Sequence, residues 1–260
     1  TGVEMAGAVA ELARFTLARD FRHVKPGAAR VILVQAGARL LKTFPEKLSE
    51  RARQSLENMG VEIQLNQRVT GITAEHVAIG EHRIAARTTI WGAGVQASPA
   101  GKWLNAETDR SGRIIVDTQL RVPGDERIYA LGDTACCEDA KGVVSPGLAP
   151  AAKQHGQYAA RQIRARVKDQ PPPEPFRYRD WGRLATIGRK SAVCDFGKVR
   201  LSGHLAWWLW GGAHIYFLVG FRNRIVVAAN WFWSYLTFGR GIRLITGDVY
   251  GDHDSSDTTI

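Results

Sequence analysis

Hydrophobic and polar positions along the front third of the chain alternate between helical and extended patterns. The run at 3–18 is rich in Ala and Leu and free of Pro, and it predicts a helix. The amphipathic run at 45–60 begins with Pro and ends with Gly, which predicts a second helix. Short apolar runs predict strands at 31–35, 61–65, 76–80 and 88–94. Because strands and helices alternate, this part of the chain is expected to fold as a parallel-sheet α/β unit.

The middle of the chain continues this pattern and then breaks at prolines. The runs at 113–122 and 127–133 predict strands, the second of which ends sharply at a Gly-Asp pair, and 151–167 predicts a helix. The PPPEP segment at 171–175 predicts a stiff break between domains. We therefore expect domains at 1–96, 97–170 and 171–250, followed by a disordered tail at 251–260.

Composition and charge narrow the class of protein. The 260 residues are 45% hydrophobic and 23% charged, which is typical of a packed globular protein and excludes a disordered or collagen-like chain. The net charge of +10 indicates an anionic partner, such as a phosphorylated cofactor or a membrane surface. Nucleic acid is not expected, because the basic residues at 161–168 lack interleaved aromatic side chains. The three cysteines favour a reducing compartment, and the histidines show no metal-ligand spacing, so no metal site is expected.

The last third of the chain is basic and aromatic. Between Asp195 and Asp248 there is no acidic residue, and five of the eight tryptophans lie in this window. Between 201 and 221 no residue is charged if the histidines are neutral, although glycines dilute the run. Tryptophan and arginine both favour the headgroup boundary, so two elements within 201–247 are predicted to lie on a membrane surface. A membrane-spanning hairpin and a buried core or oligomer interface are the alternatives.

Three positions indicate nucleotide chemistry. Gly2 opens a helix, where free N–H groups and the helix dipole favour a pyrophosphate, although an ordinary helix start explains it equally well. Gln35 ends a predicted strand where an acid usually holds the ribose hydroxyls, which leaves the choice between NADH and NADPH open. Gly132 and Asp133 follow an apolar strand, so the carboxylate can accept hydrogen bonds from a sugar-alcohol chain, and the next helix start can meet a phosphate.

Five segments carry a resemblance to a known family: TGVEMAGAVAELA, TTIWGAGV, RIYALGDTA, GLAPAAKQHGQYAA and the Trp-rich stretch WWLWGGAHIYFLVGFRNRIVVAANWFWSY. Together they resemble the type II NADH dehydrogenases, single-subunit NADH:quinone oxidoreductases that pump no protons. The similarity reaches about residue 247 and lacks the family's N-terminal FAD-binding Gly-rich unit and the first strand of its NAD unit.

The resemblance implies an α/β fold in three parts. These are a Rossmann-like NAD(H)-binding domain at 1–96 without its first strand, part of an FAD-binding domain at 97–170, and a membrane-anchoring region at 171–250. It also implies FAD and NADH as cofactors, a quinone as electron acceptor, and attachment to the cytoplasmic face of a bacterial inner membrane. This stretch alone is then expected to be inactive.

The resemblance also assigns roles to individual residues. FAD contacts fall on Gly132, Asp133 and Ala151, and NADH contacts fall on Gly2, Gln35, Ala93 and Gly94. Gln154 matches the second glutamine of the family's quinone pattern, whereas the first is replaced here by Pro150, and Lys153 offers a donor in its place. Glu4 would lie near the nicotinamide and the flavin, with a role as proton donor near the quinone; its alternative role is to complement the helix dipole.

Two rival functions remain open on the sequence. One is a soluble pyridine nucleotide–disulfide reductase, which the basic aromatic end of the chain disfavours, since such enzymes end in a dimerisation domain with a catalytic His and Glu. The other is a non-catalytic module that binds a membrane surface. The adjacent Cys136 and Cys137 are interpreted as structural, because no neighbour would lower a thiol pKa. Whether the protein forms a homodimer is left open.

Overall fold

The computed structural model describes residues 1–16, 23, 25–218, 220–237 and 258–259. The chain forms two compact units, Thr1–Gly92 with Gly182–Ile260, and Ala93–Trp181. The expected boundaries are 96/97 and 170/171, and the described units divide the chain at 92/93 and 181/182. The assignment of the segments to functional domains stays a prediction.

The first unit begins with a helix–strand–helix–strand succession. Helix α1 (Gly2–Glu11) continues into a π-helical turn (Leu12–Thr16), and a 3₁₀ turn (Pro26–Ala28) precedes strand β1 (Val31–Gln35), helix α2 (Glu46–Asn58) and strand β2 (Val61–Leu65). Strands β1 and β2 pair in parallel, with Val31 opposite Val61. A parallel pair needs a crossover, which α2 provides. The α/β prediction is confirmed here, whereas positions 17–18 of the first predicted helix lie outside the described residues.

An antiparallel hairpin group follows. Strands β3 (Gly71–Ile72), β4 (His76–Ile79) and β5 (His82–Ala85) form successive antiparallel pairs. The predicted strand at 76–80 is thus confirmed, but with an antiparallel partner on each side.

The predicted strand at 88–94 is wrong. The described backbone there forms no ladder, and the side chains of Ile90 and Trp91 are 53% and 54% exposed. In the doubly wound order, a strand that precedes α1 would separate β1 from this segment. The described elements begin at α1 and do not include that strand.

The second unit is built from short elements. They are helix α3 (Ala100–Trp103), strands β6 (Ile114–Val116), β7 (Arg121–Val122) and β8 (Asp125–Tyr129), a 3₁₀ turn (Gly132–Thr134), strand β9 (Ala135–Cys137) and helix α4 (Ala149–Val167). Strand β6 pairs in parallel with β9, and β7 pairs antiparallel with β8. The helix predicted at 151–167 is confirmed.

The single strand predicted at 113–122 is wrong, because a turn divides it into β6 and β7. The Asp117 carboxylate accepts hydrogen bonds from the backbone N–H groups of Gln119 and Arg121 at 2.8 and 2.9 Å. Leu120 then lies in the left-handed region, with a φ of +63°. This side chain-to-backbone bonding competes with a continuous ladder.

The rest of the first unit is an antiparallel meander followed by two helices. Strands β10 (Arg183–Thr186), β11 (Ala192–Asp195) and β12 (Arg200–Gly203) pair in that order, and helices α5 (His204–Phe217) and α6 (Phe221–Thr237) follow. Ile187 and Val193 are buried in the same hydrophobic core as Val3 and Leu56. The meander therefore shares a core with α1 and α2.

The C-terminal end of the chain is described only in part. Strand β13 (Thr258–Thr259) pairs antiparallel with β3, and the remainder of the predicted disordered tail at 251–260 lies outside the described residues. Within the described stretches, no helix combines the length and the apolar character that crossing a bilayer would require.

Candidate functional site

The N-terminus of α1 is shaped by two glycines. A Cβ atom on Gly92 would lie 3.3 Å from both the Cα and the backbone N of Gly2, and one on Gly2 would lie 3.7 Å from Leu33 Cδ1 of β1. No side chain among the described residues caps this end of α1, so its first N–H groups keep their hydrogen-bonding capacity. Such an end suits an anion such as a phosphate group. Glu4 lies in the first turn of the same helix.

Gln35 lies at the carboxyl end of β1, as predicted. Its backbone carbonyl accepts a hydrogen bond from the N–H of Gln67 at 3.1 Å, and a Cβ on Gly37 would lie 3.2 Å from Gln35 Nε2. A cavity of about 840 Å³ opens between the following loop and α2, and its cationic lining residues are Arg39, Lys47, Arg51 and Arg53. Glu46 and Glu50 also line it. Because Arg53 is paired with Glu50 and Glu57, the cations that this cavity offers to a phosphorylated ligand are Arg39, Lys47 and Arg51.

The Gly-Asp pair forms the 3₁₀ turn between β8 and β9. Gly132 has a φ of +63°, and a Cβ there would lie 3.1 Å from the Cβ of Ala152 in α4. The Asp133 side chain is exposed, and a Cβ on Gly147 would lie 3.7 Å from its Oδ1. No described residue donates a hydrogen bond to this carboxylate. It is therefore a free acceptor with glycine on one side, which fits the hydroxyl groups of a ribityl chain.

Sequence reasoning missed the residue that holds this turn. The backbone N–H of Gly132 donates to His155 Nδ1 at 3.1 Å, and His155 Nε2 lies 3.2 Å from Ser145 Oγ. The imidazole is 1% exposed, and burial lowers its pKa. The one sequence signal was its position four residues after Ala151, which places both residues on the buried face of α4. A histidine on such a face is a common core residue, so the pattern alone gave it no role.

Gln154 is held by the backbone of the segment that follows α4. Its Nε2 donates to the Arg179 carbonyl at 2.9 Å, and its Oε1 accepts from the Arg179 N–H at 3.0 Å. Lys153 precedes it with an exposed side chain. Ala151 is buried in the first turns of α4, beside the Ala152 that contacts the Gly132 turn.

The predicted residues fall into separate groups. Gly2, Glu4 and Gln35 belong to the first unit, on α1 and β1, whereas Gly132, Asp133 and Ala151 are brought together in the second unit at the Gly-Asp turn. Gln154 and Lys153 lie further along α4. Ala93 and Gly94 are exposed loop residues at the start of the second unit, and Gly94 has a φ of +121°.

The cysteines do not form a reactive pair in the described structure. Burial raises the pKa of Cys137 to about 12 and that of Cys194 to about 11, and it also raises the pKa of Cys136. A thiol is nucleophilic as the thiolate, so these groups are poorly suited to disulfide exchange. Nor do the described residues contain a cluster of His, Cys, Asp or Glu that could hold a metal ion.

Two known protein families match segments of this chain. The pyridine nucleotide-disulphide oxidoreductase family matches residues 1–156, and the NDH2 C-terminal domain matches residues 181–241. The chain belongs to the pyridine nucleotide-disulphide oxidoreductase family, and the second match agrees with its resemblance to the type II NADH dehydrogenase branch.

Relatives of this branch cover nearly the whole chain. The type II NADH:quinone oxidoreductase NdhA of Mycobacterium tuberculosis is 40% identical over 96% of this chain and 55% of its own length. A probable NADH dehydrogenase of Dictyostelium discoideum is 30% identical over 93% of this chain and 53% of its own length. The chain thus spans about half the length of the curated relatives it matches.

Solved structures show the same fold. NDH2 from Plasmodium falciparum in complex with NADH matches with a TM-score of 0.80 at 16% identity, over 90% of this chain and 63% of that chain. At this identity the match concerns the fold alone. It confirms the α/β fold expected from the sequence, whereas the membrane association of the C-terminal region stays a prediction.

Proposed function

We propose that this chain forms part of an FAD-dependent enzyme that passes electrons from NADH to a membrane quinone without pumping protons. The observation that carries the proposal is the succession of the two family matches, the oxidoreductase at 1–156 and the NDH2 C-terminal domain at 181–241, with a Gly-Asp turn whose carboxylate is a free acceptor. The relatives named above as NADH:quinone oxidoreductase and NADH dehydrogenase support the same reaction.

The nucleotide contacts are assigned to the two glycine-shaped sites. Gly2 would receive the NADH pyrophosphate at the start of α1, Gln35 would hydrogen-bond the ribose, and Ala93 and Gly94 would present exposed backbone to the bound dinucleotide. Asp133 would accept hydrogen bonds from the ribityl hydroxyls of FAD. Gly132 would leave space for the ribityl chain because it has no side chain in the turn, and Ala151 because its side chain is small.

FAD supplies the two-electron redox chemistry when it is bound, and the protein's residues position the reactants and exclude water. Gln154 keeps one Nε2 hydrogen after it donates the other to Arg179, so it can still donate to a quinone carbonyl. Lys153 would add a cationic donor beside it. Glu4, in the first turn of α1, would lie near the nicotinamide and the flavin and would serve as a proton donor near the quinone.

Attachment to a membrane surface is proposed for the region 201–247. Many apolar side chains of α5 and α6 are exposed, among them Leu205, Tyr216, Phe221, Ile225 and Phe232. Arg222 and Arg224 lie in the first turn of α6, where they can meet anionic headgroups. The cytoplasmic face of a bacterial inner membrane, where NADH is produced, is the proposed location. A homodimer that covers the same apolar face is the competing arrangement.

The absorbance of the flavin, measured without oxygen in the purified full-length protein that contains this chain, tests the redox proposal. We expect NADH to bleach the flavin band and a short-chain quinone to restore it. Bleaching without recovery would contradict the quinone role and favour a disulfide reductase. A protein that holds no flavin would contradict the enzyme proposal and favour a membrane-surface module.

A further inference from the structure

We propose that His155 is a positioning residue for the flavin, because it fixes the Gly132–Asp133 turn in the shape that presents the Asp133 carboxylate. The inference rests on the proposed function, since it concerns the same FAD site. It adds a residue that the resemblance to type II NADH dehydrogenases did not assign.

The hydrogen bond from Gly132 determines the state of the imidazole. Because the Gly132 N–H donates to His155 Nδ1, that nitrogen carries a lone pair and no hydrogen. In the neutral ring the hydrogen is then on Nε2, which donates to Ser145 Oγ at 3.2 Å. The buried ring thus links two backbone segments, the turn before β9 and the segment after it.

Both ends of this link are held by further contacts. The Ser145 N–H donates to the Cys137 carbonyl at 2.8 Å, and the Ser145 carbonyl accepts from Arg113 at 3.2 Å. On its other side, the imidazole packs edge-on against Phe176, with ring centroids 4.8 Å apart. These contacts leave the ring little freedom to turn, so its Nδ1 stays aimed at Gly132.

The turn depends on such an anchor. Gly132 is in the left-handed region and lies against Ala152, while Asp133 projects to the surface without a described hydrogen-bond donor. The carboxylate itself therefore does nothing to fix its own backbone. Without the acceptor on His155, the Gly132 N–H would lose its partner and the turn would sample other shapes before a ligand binds.

Two amide variants separate the two hydrogen bonds of the ring. In His155→Asn, the side-chain oxygen takes the place of Nδ1 and can accept from Gly132, whereas the contact to Ser145 is lost. In His155→Gln, the longer amide reaches the place of Nε2 and can bond Ser145, whereas Gly132 loses its acceptor. Ser145→Ala is a further control, since it keeps the ring and removes only the hydroxyl.

Three quantities are measured on the full-length protein that contains this chain. They are hydrogen–deuterium exchange of the peptide at 130–135, the Kd for FAD, and the midpoint of thermal unfolding. We expect His155→Gln to accelerate exchange at Gly132 and to raise the Kd about tenfold, the equivalent of about 1.4 kcal/mol and of one lost hydrogen bond. We expect His155→Asn and Ser145→Ala to stay within about threefold of the wild type.

The outcomes separate this inference from the proposed function. Equal exchange and equal Kd in His155→Asn and His155→Gln would overturn the positioning role, as would a Kd that follows the thermal midpoint alone. If both His155 variants fail to fold, a Kd raised about tenfold by Ser145→Ala without faster exchange at 130–135 would overturn it too, because FAD binding would then depend on the hydroxyl and not on the shape of the turn. A wild-type protein that binds no FAD would contradict the proposed function itself.

Discussion

Gly7 of α1 packs against Gly188, in the turn between β10 and β11, so closely that a Cβ on Gly7 would lie 2.9 Å from the Gly188 backbone nitrogen. Gly188 has a φ of +79°, and its own Cβ would lie 2.9 Å from both Glu11 Oε1 and Met59 Sδ. The N–H of Arg189 donates to Glu11 Oε1 at 2.7 Å. Close backbone packing therefore joins the turn of the C-terminal meander to helix α1.

This contact predicts opposite effects for the same substitution at two helical glycines. Gly7→Ala places a methyl group against fixed backbone and should destabilise the protein by about 1–3 kcal/mol. Gly156→Ala in α4 meets nothing within 4 Å and should stabilise it by about 0.5–1 kcal/mol through helix propensity. Thermal and urea unfolding of both variants measure the difference. A stabilising Gly7→Ala would show that α1 and the turn are less tightly packed than described.

Local patterns predicted the elements of the first unit well. The helix at 45–60 and the strands at 31–35 and 61–65 are encoded by neighbours along the chain, through Pro and Gly at the helix ends and apolar runs between them. The run at 88–94 has the same local signal, but a strand also needs an edge to pair with, and its sequence carries no information about that edge.

Contacts between residues far apart in the chain could not be predicted from the sequence for the same reason. Gly7 looks like any glycine in an Ala-rich helix until Gly188 is placed against it. His155 likewise looks like a core residue until the Gly132 turn is seen at its Nδ1. Gly132 and Asp133 could be predicted as a ligand site, because a strand that ends in Gly-Asp is a local signal, whereas the anchor of that turn lies in a later helix.

Removal of the Asp133 carboxylate should weaken FAD binding. Asp133→Asn keeps the shape of the side chain but loses the charge and part of the acceptor capacity, so we expect the Kd for FAD to rise about tenfold or more. Asp133→Ala should lose the flavin on purification. Glu138→Gln, an exposed acid just beyond β9, is the control and should retain it. Flavin absorbance per protein measures the effect, and unchanged flavin content in Asp133→Ala would contradict the FAD assignment.

Acid should destabilise the second unit through His155. Burial lowers the pKa of this imidazole below its ordinary value of 6.5, so the unfolded chain binds the proton at a higher pH than the folded one. The neutral imidazole therefore makes its full contribution to the free energy of unfolding above pH 6.5. That free energy falls as the pH drops below 6.5, by at most about 1.4 kcal/mol per pH unit. The ring faces Gly132, Ser145 and Phe176, and Tyr158 behind Phe176 has a raised pKa and stays neutral.

Unfolding by urea at several pH values between about 7.5 and 5 measures this effect. His155→Asn removes the titrating group, so the free energy of unfolding should differ less between the two ends of the pH range. Parallel pH profiles in the wild type and the variant would show that the pKa of His155 is the same in the folded and unfolded protein, contrary to the lowering expected from its burial.

The cysteines should be dispensable for electron transfer. Cys136→Ser and Cys137→Ala, separately and together, are expected to leave NADH oxidation by a short-chain quinone within about twofold of the wild type, because burial keeps both thiols protonated at neutral pH. Cys194→Ala serves as the control for a buried thiol in the other unit. Stopped-flow reduction by NADH and reoxidation by quinone are measured separately. A loss confined to the Cys136 and Cys137 variants would support a disulfide reductase.

Charge placed on the exposed apolar surface of α5 and α6 should release the protein from membranes. Deletion of 201–247 would also disrupt the fold, because Leu201 pairs with Cys194 in the meander and Ala206 is fully buried. Leu205→Glu and Phe221→Glu are sharper, because these side chains are 72% and 76% exposed and their replacement leaves the described core intact.

Each of these substitutions removes the burial of one large apolar side chain in lipid, so we expect about a tenfold loss of partitioning into anionic vesicles. Val167→Glu, at an apolar residue that is 78% exposed at the end of α4, is the matched control and should partition like the wild type. Sedimentation with vesicles measures binding, and NADH oxidation by a soluble acceptor confirms that the enzyme is intact. If Leu205→Glu and Phe221→Glu bind vesicles as tightly as Val167→Glu, this surface is not the membrane contact, and a change in their oligomeric state would identify it as a subunit interface.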